Sequence, residues 1–476
     1  MKKTIFSIIS IIVLLISSCE NFLDTEPTGQ LSVRDTYATE GGIQIALNGL
    51  YIIFNNGYYG SYGGVKVYGL TPAAIRYITY LQEAGGDDMM IRNTTNHNRV
   101  SIDNYTHDAD NENVDRIYFS GFRGIKDCNS FLDNVEISPV INDEFISQAK
   151  AEARAIRAFI YFTIVRSYGD LPIITVSLPR DSYQRDNYAE VYKQVIIPDL
   201  EYASEYLQDA YDGADRGRIT KGGAQAMLAE VYLTLAGRIY DYASVADGRT
   251  VADVFGISRA DFLRKSKEIL ENIIANPAYD LHPDYKTLFT KAGNYSKESI
   301  WEIPRDGNQM VMELLPRPWE FPVKVFPGDP TKTYQGLWPR IDQATGEVVA
   351  VDGWGRYVMT PNLQALFDTV YDTRLKTVIE VEVPHEELGG TIKFWYSSKY
   401  ADSTAVYERL ESDPRFSRAY YKLIRFANVL LMYAEVENEL NNGPTASAIE
   451  ALERVQKRAY KGNEDRIPAN PSDYAG

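Results

Sequence analysis

Cysteine is almost missing from this chain, with only Cys19 and Cys128 among 476 residues. If Cys19 is taken up by lipidation, Cys128 is left as a free thiol and no intrachain disulfide can form. Histidine is equally scarce: His97, His107, His282 and His385 show no ligand spacing such as HExxH, and a single thiol cannot build a zinc site. The chain also lacks a GxSxG elbow, a phosphate-binding glycine loop and a dinucleotide fingerprint. Asp108, Asp110 and Glu112 alternate like the opening of a calcium loop. However, Asn113 stands where that loop needs glycine, and Phe119 where it needs its closing glutamate. Calcium is therefore only a marginal expectation, and no other cofactor is expected.

Positive charge is deficient as well. Lys and Arg number 49 against 65 Asp and Glu, a formal charge of −16, so the chain should repel nucleic acid. No basic cluster along the sequence would hold it on an anionic lipid surface. Long apolar runs are limited to one, Ile5 to Ile16, which is shorter than the ~20 residues that cross a bilayer. Lys2 and Lys3 precede it and Ser17-Ser18-Cys19 follows, the order of a secretory signal with a lipidation site. Residues 1–18 are read as the signal peptide, and Cys19 as the lipidated first residue of a mature domain spanning 19–476. Loss of Lys2 and Lys3 with the leader moves the formal charge from −16 to −18. Attachment then falls to acyl chains on Cys19, so the protein is anchored to the membrane without being inserted in it.

Apolar periodicity fills most of the rest and predicts a mostly helical, all-α chain. From Glu152 to Tyr168, Ile156, Ile160 and Ile164 form one line and Ala155, Ala158, Phe162 and Val165 another. A helix apolar all round is buried among neighbours. Thr220 to Ala236 repeats the pattern, with Ala224, Leu228, Val231 and Leu235 beside Ala226, Ala229 and Leu233. Near the end, Arg425–Leu440 and Pro444–Tyr460 read as paired helices broken at Asn441-Asn442-Gly443, with Ile449, Leu452 and Val455 facing inward. Such pairs predict degenerate tetratricopeptide-like repeats, although no fixed period runs through the chain. The scaffold would include about 143–275 and 425–460. Long irregular insertions with little strand, about 57–112 and 301–424, would form a loop-rich ligand-binding portion.

Several segments carry a resemblance. CENFLDTEPTGQLS, Cys19 to Ser32, and GGIQIALNGLY, Gly41 to Tyr51, are similar to the opening of the SusD/RagB family. EARAIRAFIYFTIVRSYGDLP, Glu152 to Pro172, and RITKGGAQAMLAEVYLTLAG, Arg218 to Gly237, resemble its most typical helices. YDLHPDYKTLFTKAGNYSKESIWEI, Tyr279 to Ile303, resembles the approach to its variable loops, and RFANVLLMYAEVENEL, Arg425 to Leu440, its last repeat helix. Asn428 departs from the pattern, standing where the family often has an acid. The family usually continues into a Glu- and Arg-rich closing segment, whereas the sequence stops at Gly476, which suggests a fragment or a truncated member with some helix faces left uncovered.

The resemblance implies a non-catalytic, surface-exposed lipoprotein of the outer membrane. In that role the protein would hold oligosaccharide or polysaccharide and pass it to a SusC-like TonB-dependent transporter. A peptide-binding member of the same family, a glycoside hydrolase and a purely protein-binding helical scaffold are the alternatives. The residues suggest where ligand would sit. All five tryptophans lie between Trp301 and Trp395, a window in which eight of the 21 prolines fall from Pro304 to Pro361. Rigid loops there can present flat rings on which sugar C–H faces stack, and Trp319, Trp338, Trp354 and Tyr334 are the platform candidates. Tryptophan in loops also plugs small cores. Tyr51, Tyr58, Tyr59, Tyr62, Tyr68, Tyr77 and Tyr80 surround the glycine-rich GYYGSYGG and suit a wet binding surface or a core rim equally. In the polar loop that follows, Asp88, Arg92, Asn96 and His97 are candidate partners for sugar hydroxyls.

Overall fold

The computed structural model describes residues 32–54, 60–62, 65–67, 86–91, 97–140, 142–177, 182–304, 323–325, 340–341, 348–349, 357–384, 391–397, 399 and 419–467. Helices build the frame: α1 Glu40–Leu50, α2 His97–Asp103, α3 Glu112–Glu136, α4 Asp143–Tyr168, α5 Ile197–Tyr206, α6 Lys221–Ala236, α7 Arg259–Ala275, α8 Phe426–Asn441 and α9 Ala446–Ala459. From α3 onward each helix packs on the next in sequence, and α1 lies across α3 and α4. This is the mostly helical, repeat-like stack that the periodicity predicts. None of the described helices is long and apolar enough to cross a membrane.

The helix ends follow local chemistry. Asn142 caps α4 by accepting from Phe145 N, Asp143 and Glu144 complement its dipole, and Gly169 ends it at φ 71°. Thr220 caps α6, and Ser258 with Asp261 forms a capping box on α7. Before α5, an α turn Tyr188–Val191 passes into a π stretch, Tyr192–Ile196. Pro198 supplies the reason, since it cannot donate to the carbonyl one turn back and its ring crowds that carbonyl.

Close approach follows from small residues. Ala149, Ala151, Ala153, Ala155 and Ala158 on α4 are fully buried. On α3 a Cβ at Gly124 would sit 2.4 Å from Ile53 Cδ1 and 2.9 Å from Ile160 Cδ1, so any larger residue would have to push both isoleucine tips aside. A buried ion pair sits inside the stack. Arg157 donates to both Asp199 oxygens at 2.8 Å and to Asn129 Oδ1 at 2.7 Å, and Asn129 donates on to Ile174 O at 2.9 Å. Helices α3, α4 and α5 are thereby keyed together by charge as well as shape.

Two local expectations need correction. The break between the last two helices lies at Asn442, which takes the left-handed conformation at φ 52°, and α9 is capped by Thr445 with Pro444 ahead of it. On α9 the deepest positions are Ala448, Ala451, Arg458 and Ala459, whereas Ile449, Leu452 and Val455 are half-buried. Alanine is preferred there because it lets α9 settle closely on α8. The calcium-like acidic run is the approach to α3. Asp108 accepts from Asp110 N, Asn111 caps the helix, and the chain from Glu112 through Phe119 is helical. Asn428, in place of the family's acid, secures the first turn of α8 by accepting from Arg425 N at 3.1 Å.

Replacing Arg157 by leucine should leave the Asp199 carboxylate buried without its partner, a loss of about 3–5 kcal/mol for a broken buried pair. Equilibrium urea unfolding monitored by circular dichroism measures it. A shift below about 1 kcal/mol would show that the pair does not key these helices.

Candidate functional site

Between the end of α7 and the start of α8, which pack on each other, lies the excursion, the longest stretch of chain between two frame helices. Its two ends are zipped by the antiparallel ladder of β4 Ser299–Ile303 with β11 Tyr421–Arg425. Lys422 stands opposite Glu302 in that ladder, and its Nζ donates to Glu302 Oε2 at 2.8 Å with side chains 0% and 4% exposed. Tyr295 N donates to the other Glu302 oxygen at 2.6 Å. One step earlier in the chain, buried Glu298 accepts from Arg425 through one oxygen, and from Arg458 of α9 and His282 N through the other. Thus two carboxylates on one side of the neck meet cations arriving from β11 and from the last helix. The strand beside them is rooted in the core, where Trp301 packs edge-on against Phe54 and Phe159 at 5.4 Å.

The excursion is held at other points too. Strand β3 Met89–Ile91 pairs antiparallel with β8 Tyr357–Met359, and Thr360 N donates to Asp88 O at 3.0 Å. The two loop regions singled out in the sequence are thereby joined by backbone. A 3₁₀ turn, Thr373–Thr377, leans on the end of α9, where Thr373 Oγ1 donates to Ala459 O at 2.8 Å. A small core of Leu375, Val378 and Trp395 fills the base, with Phe367 and Met359 against it. It lies beside β9 Val378–Pro384, which pairs with β10 Thr391–Ser397 on one edge and β5 Val323–Val325 on the other. All five sheets among the described residues have two or three short strands, so strand serves here as staple and not as scaffold.

Of the candidate site residues, Asp88 and His97 are described, and both are exposed. Asp88 lies at the junction of β3 with the excursion, and His97 opens α2, which packs on β3. The turn carrying His97 is fixed from beneath: Asn111 and Asn113 donate to Asn98 O at 2.7 and 3.2 Å, and Asn111 donates also to Ser101 Oγ. Trp319, Trp338, Trp354, Tyr334, Arg92, Asn96 and Cys19 lie outside the described residues. So do Tyr58, Tyr59, Tyr68, Tyr77 and Tyr80, and of Tyr62 only the backbone strand is described. Tyr51 belongs to the frame: its hydroxyl donates to Glu152 at 2.6 Å and accepts from Ile219 N at 3.1 Å. Burial, followed by the Glu152 charge, pushes its phenol well above the ordinary range. Trp301 and Trp395, the two described tryptophans, are core residues. Among the described residues no three His, Cys, Asp or Glu side chains converge to hold a metal.

Sequence reading missed the neck charges. Glu298, Glu302, Lys422, Arg425 and Arg458 sit in stretches that look like ordinary amphipathic strand and helix. Their one visible signal is lysine inside the strand-like run Tyr421–Arg425.

A family model described as starch-binding and associating with the outer membrane matches residues 67–233, and one for the SusD family matches residues 328–466. SusD-like protein P2 of Formosa agariphila is 26% identical over 493 residues, covering 99% of this chain and 85% of that one. Two solved structures share the fold. A SusD superfamily protein from Parabacteroides distasonis has a TM-score of 0.66 at 20% identity, covering 94% of this chain and 84% of its own. Surface glycan-binding protein A from Bacteroides thetaiotaomicron, in complex with laminarihexaose, has 0.61 at 17% identity, covering 88% and 82%.

Replacing Lys422 by methionine leaves Glu302 buried and unpaired, and should cost about 3–5 kcal/mol, whereas exchanging both partners for apolar residues of similar volume should recover most of that loss. Thermal unfolding of the two variants against the parent provides the comparison. A double variant as unstable as the single one would show that the ladder, and not the uncompensated charge, decides.

Proposed function

The chain belongs to the SusD/RagB family, and from that premise we propose that it is a cell-surface glycan-binding lipoprotein that hands oligosaccharide to a SusC-like TonB-dependent transporter without cleaving it. The observation that carries this reading is that the two family models fall on both parts of the molecule. One covers helices of the frame and the other covers much of the excursion together with its return to α8 and α9. The laminarihexaose held by the Bacteroides thetaiotaomicron neighbour makes a glycan the favoured cargo over a peptide. The acyl chains on Cys19 are the proposed tether.

The chemistry asked of the excursion is stacking plus hydrogen bonding. Flat indoles offer large rigid area at small entropic cost, and sugar hydroxyls need donors and acceptors that are already fixed. Trp319, Trp338, Trp354 and Tyr334 are proposed as the platform, with Asp88, Arg92, Asn96 and His97 as hydroxyl partners. Asp88 sits where backbone pairing ties the N-terminal loop to the excursion, which supports a shared surface. Two carboxylates at a suitable separation would be enough for a glycosidase. The non-catalytic reading therefore stands on the family, and product analysis is its direct test.

Trp319→Ala, Trp338→Ala and Trp354→Ala should each weaken retention of the protein in a glycan affinity gel, by roughly 1–3 kcal/mol on the scale of ring stacking, while helical circular dichroism stays that of the parent. Unchanged migration in all three would remove these residues from the site. Chromatography of a polysaccharide panel after incubation should show no shortened chains, and any shortening would overturn the non-catalytic reading.

A further inference from the structure

Where the excursion returns to the frame, cations crowd around two rings. Tyr285 and Phe289 meet edge-to-face with centroids 5.1 Å apart. Lys399 Nζ lies 5.7 Å from the Tyr285 ring and 5.2 Å from Phe289, Arg425 Cζ is 5.7 Å from Phe289, and Arg458 Cζ is 5.2 Å from Tyr285. Arg374 and Lys376 stand on the adjoining 3₁₀ turn.

The local carboxylates are already engaged. Glu298 is shared by Arg425 and Arg458, and Asp372 forms an ion pair with Arg374 at 2.6 Å. Among the described residues neither Lys376 nor Lys399 forms a close ion pair, although the charge of Lys376 helps hold the Asp284 carboxyl below its ordinary range, and the buried Nε of Arg458 has no acceptor. The phenol of Tyr285 registers the resulting potential. Burial pushes it up, but the charges of Lys399 and Arg425, a hydrogen bond from Lys399 and the charge of Arg374 outweigh burial and leave it below its ordinary range. In a protein of net charge −16, this is a local reversal of sign that the linear sequence does not show. Its members reach solvent in part: Lys376 and Lys399 are half-buried, and the Arg374 side chain is 39% exposed.

We propose that this cluster binds a saccharide-borne anion, the carboxylate of a uronic acid or a sulfate ester, with Lys376, Lys399 and Arg374 as its contacts and Arg458 behind them. The inference rests on the glycan-binding reading and adds the class of glycan. An anion placed there would meet preorganised donors whose like charges oppose one another when the site is empty, so binding relieves repulsion as well as forming charge-assisted hydrogen bonds. Arginine's fork suits both oxyanions, and the two lysines supply charge on flexible stems.

Isothermal titration of the full chain with three chain-length-matched oligosaccharides, one rich in galacturonate, one sulfated and one neutral, tests it. At low salt at least one acidic ligand should bind ten times or more tighter than the neutral one. That advantage should shrink as added NaCl shortens the screening length. The arm that carries it tells carboxylate from sulfate. The Lys376→Ala/Lys399→Ala double variant should lose the advantage while keeping the parent's melting temperature and its affinity for neutral glycan. Neutral binding with no preference for charge, or a preference that survives in the double variant, overturns this inference alone. No binding of any of the three overturns the glycan reading and this inference with it.

Discussion

Two carboxylates, four residues apart, hold the molecule's long excursion to its frame. Glu298 and Glu302 lie at and just before β4, and they are buried. A buried carboxylate is tolerable only if cations and donors surround it, and these come from elements far along the chain: Lys422 and Arg425 on β11, Arg458 on α9. The pairing therefore works as a register device. An apolar pair would pack nearly as well in a strand shifted by two residues, whereas Lys422 placed anywhere but opposite Glu302 leaves a bare charge in the core. The bulge between Lys422 and Arg425 then lets the same short strand serve both carboxylates.

The frame beneath that neck is built by a different rule. Helices α3 to α9 stack in chain order, and the stack is kept thin by alanine and glycine where helices approach. Charge appears inside it at few places, among them Arg157 with Asp199, and Glu152 with Arg218 and Tyr51. The first links α4 to α5, and the second ties α4 to the turn after α1 and to the approach to α6. Since α7 and α8 are neighbours in the stack although the excursion separates them in sequence, the frame is continuous through the point from which the loops leave. The excursion is thus an insertion at one repeat junction, and its length need not disturb the repeats on either side.

How much of this could be read from the sequence depends on the range of the interaction. The helices around Ile156–Ile160–Ile164 and Ala224–Leu228–Leu235 were legible because burial on all sides leaves a local pattern of period 3.6. Helix ends were legible to within a few residues, the errors arising where Asn442 took the role expected of Gly443 and Thr445 that expected of Pro444. The ladders at the neck were not legible, since Lys422 and Glu302 stand 120 residues apart and either segment alone is an unremarkable amphipathic stretch. The same holds for Asp88, whose polar neighbourhood was noticed while its backbone pairing with Thr360 was not. The cationic cluster escaped for a further reason. Its members come one or two at a time from four segments, and a chain with an excess of acids gives no compositional hint of it.

These two kinds of contact divide the molecule by what may vary. Backbone ladders such as β3–β8 and β9–β10 accept almost any side chain that tolerates an extended conformation, so the excursion can change its outward-facing residues while keeping its course. The neck cannot, because each of its charges is matched by name and a single exchange strands a partner in the core. Ligand preference is therefore free to change in the loops, whereas the junction that carries them must stay fixed. The cations around Tyr285 and Phe289 lie on the boundary between the two regimes. Arg425 and Arg458 are committed to Glu298, whereas Lys376 and Lys399 form no close ion pair among the described residues, Lys399 meeting the Tyr285 and Phe289 rings instead. Positive charge gathered in excess of the local carboxylates, and opposing other charge of its own sign, is more simply explained by an anion it binds than by the contacts it makes within the fold.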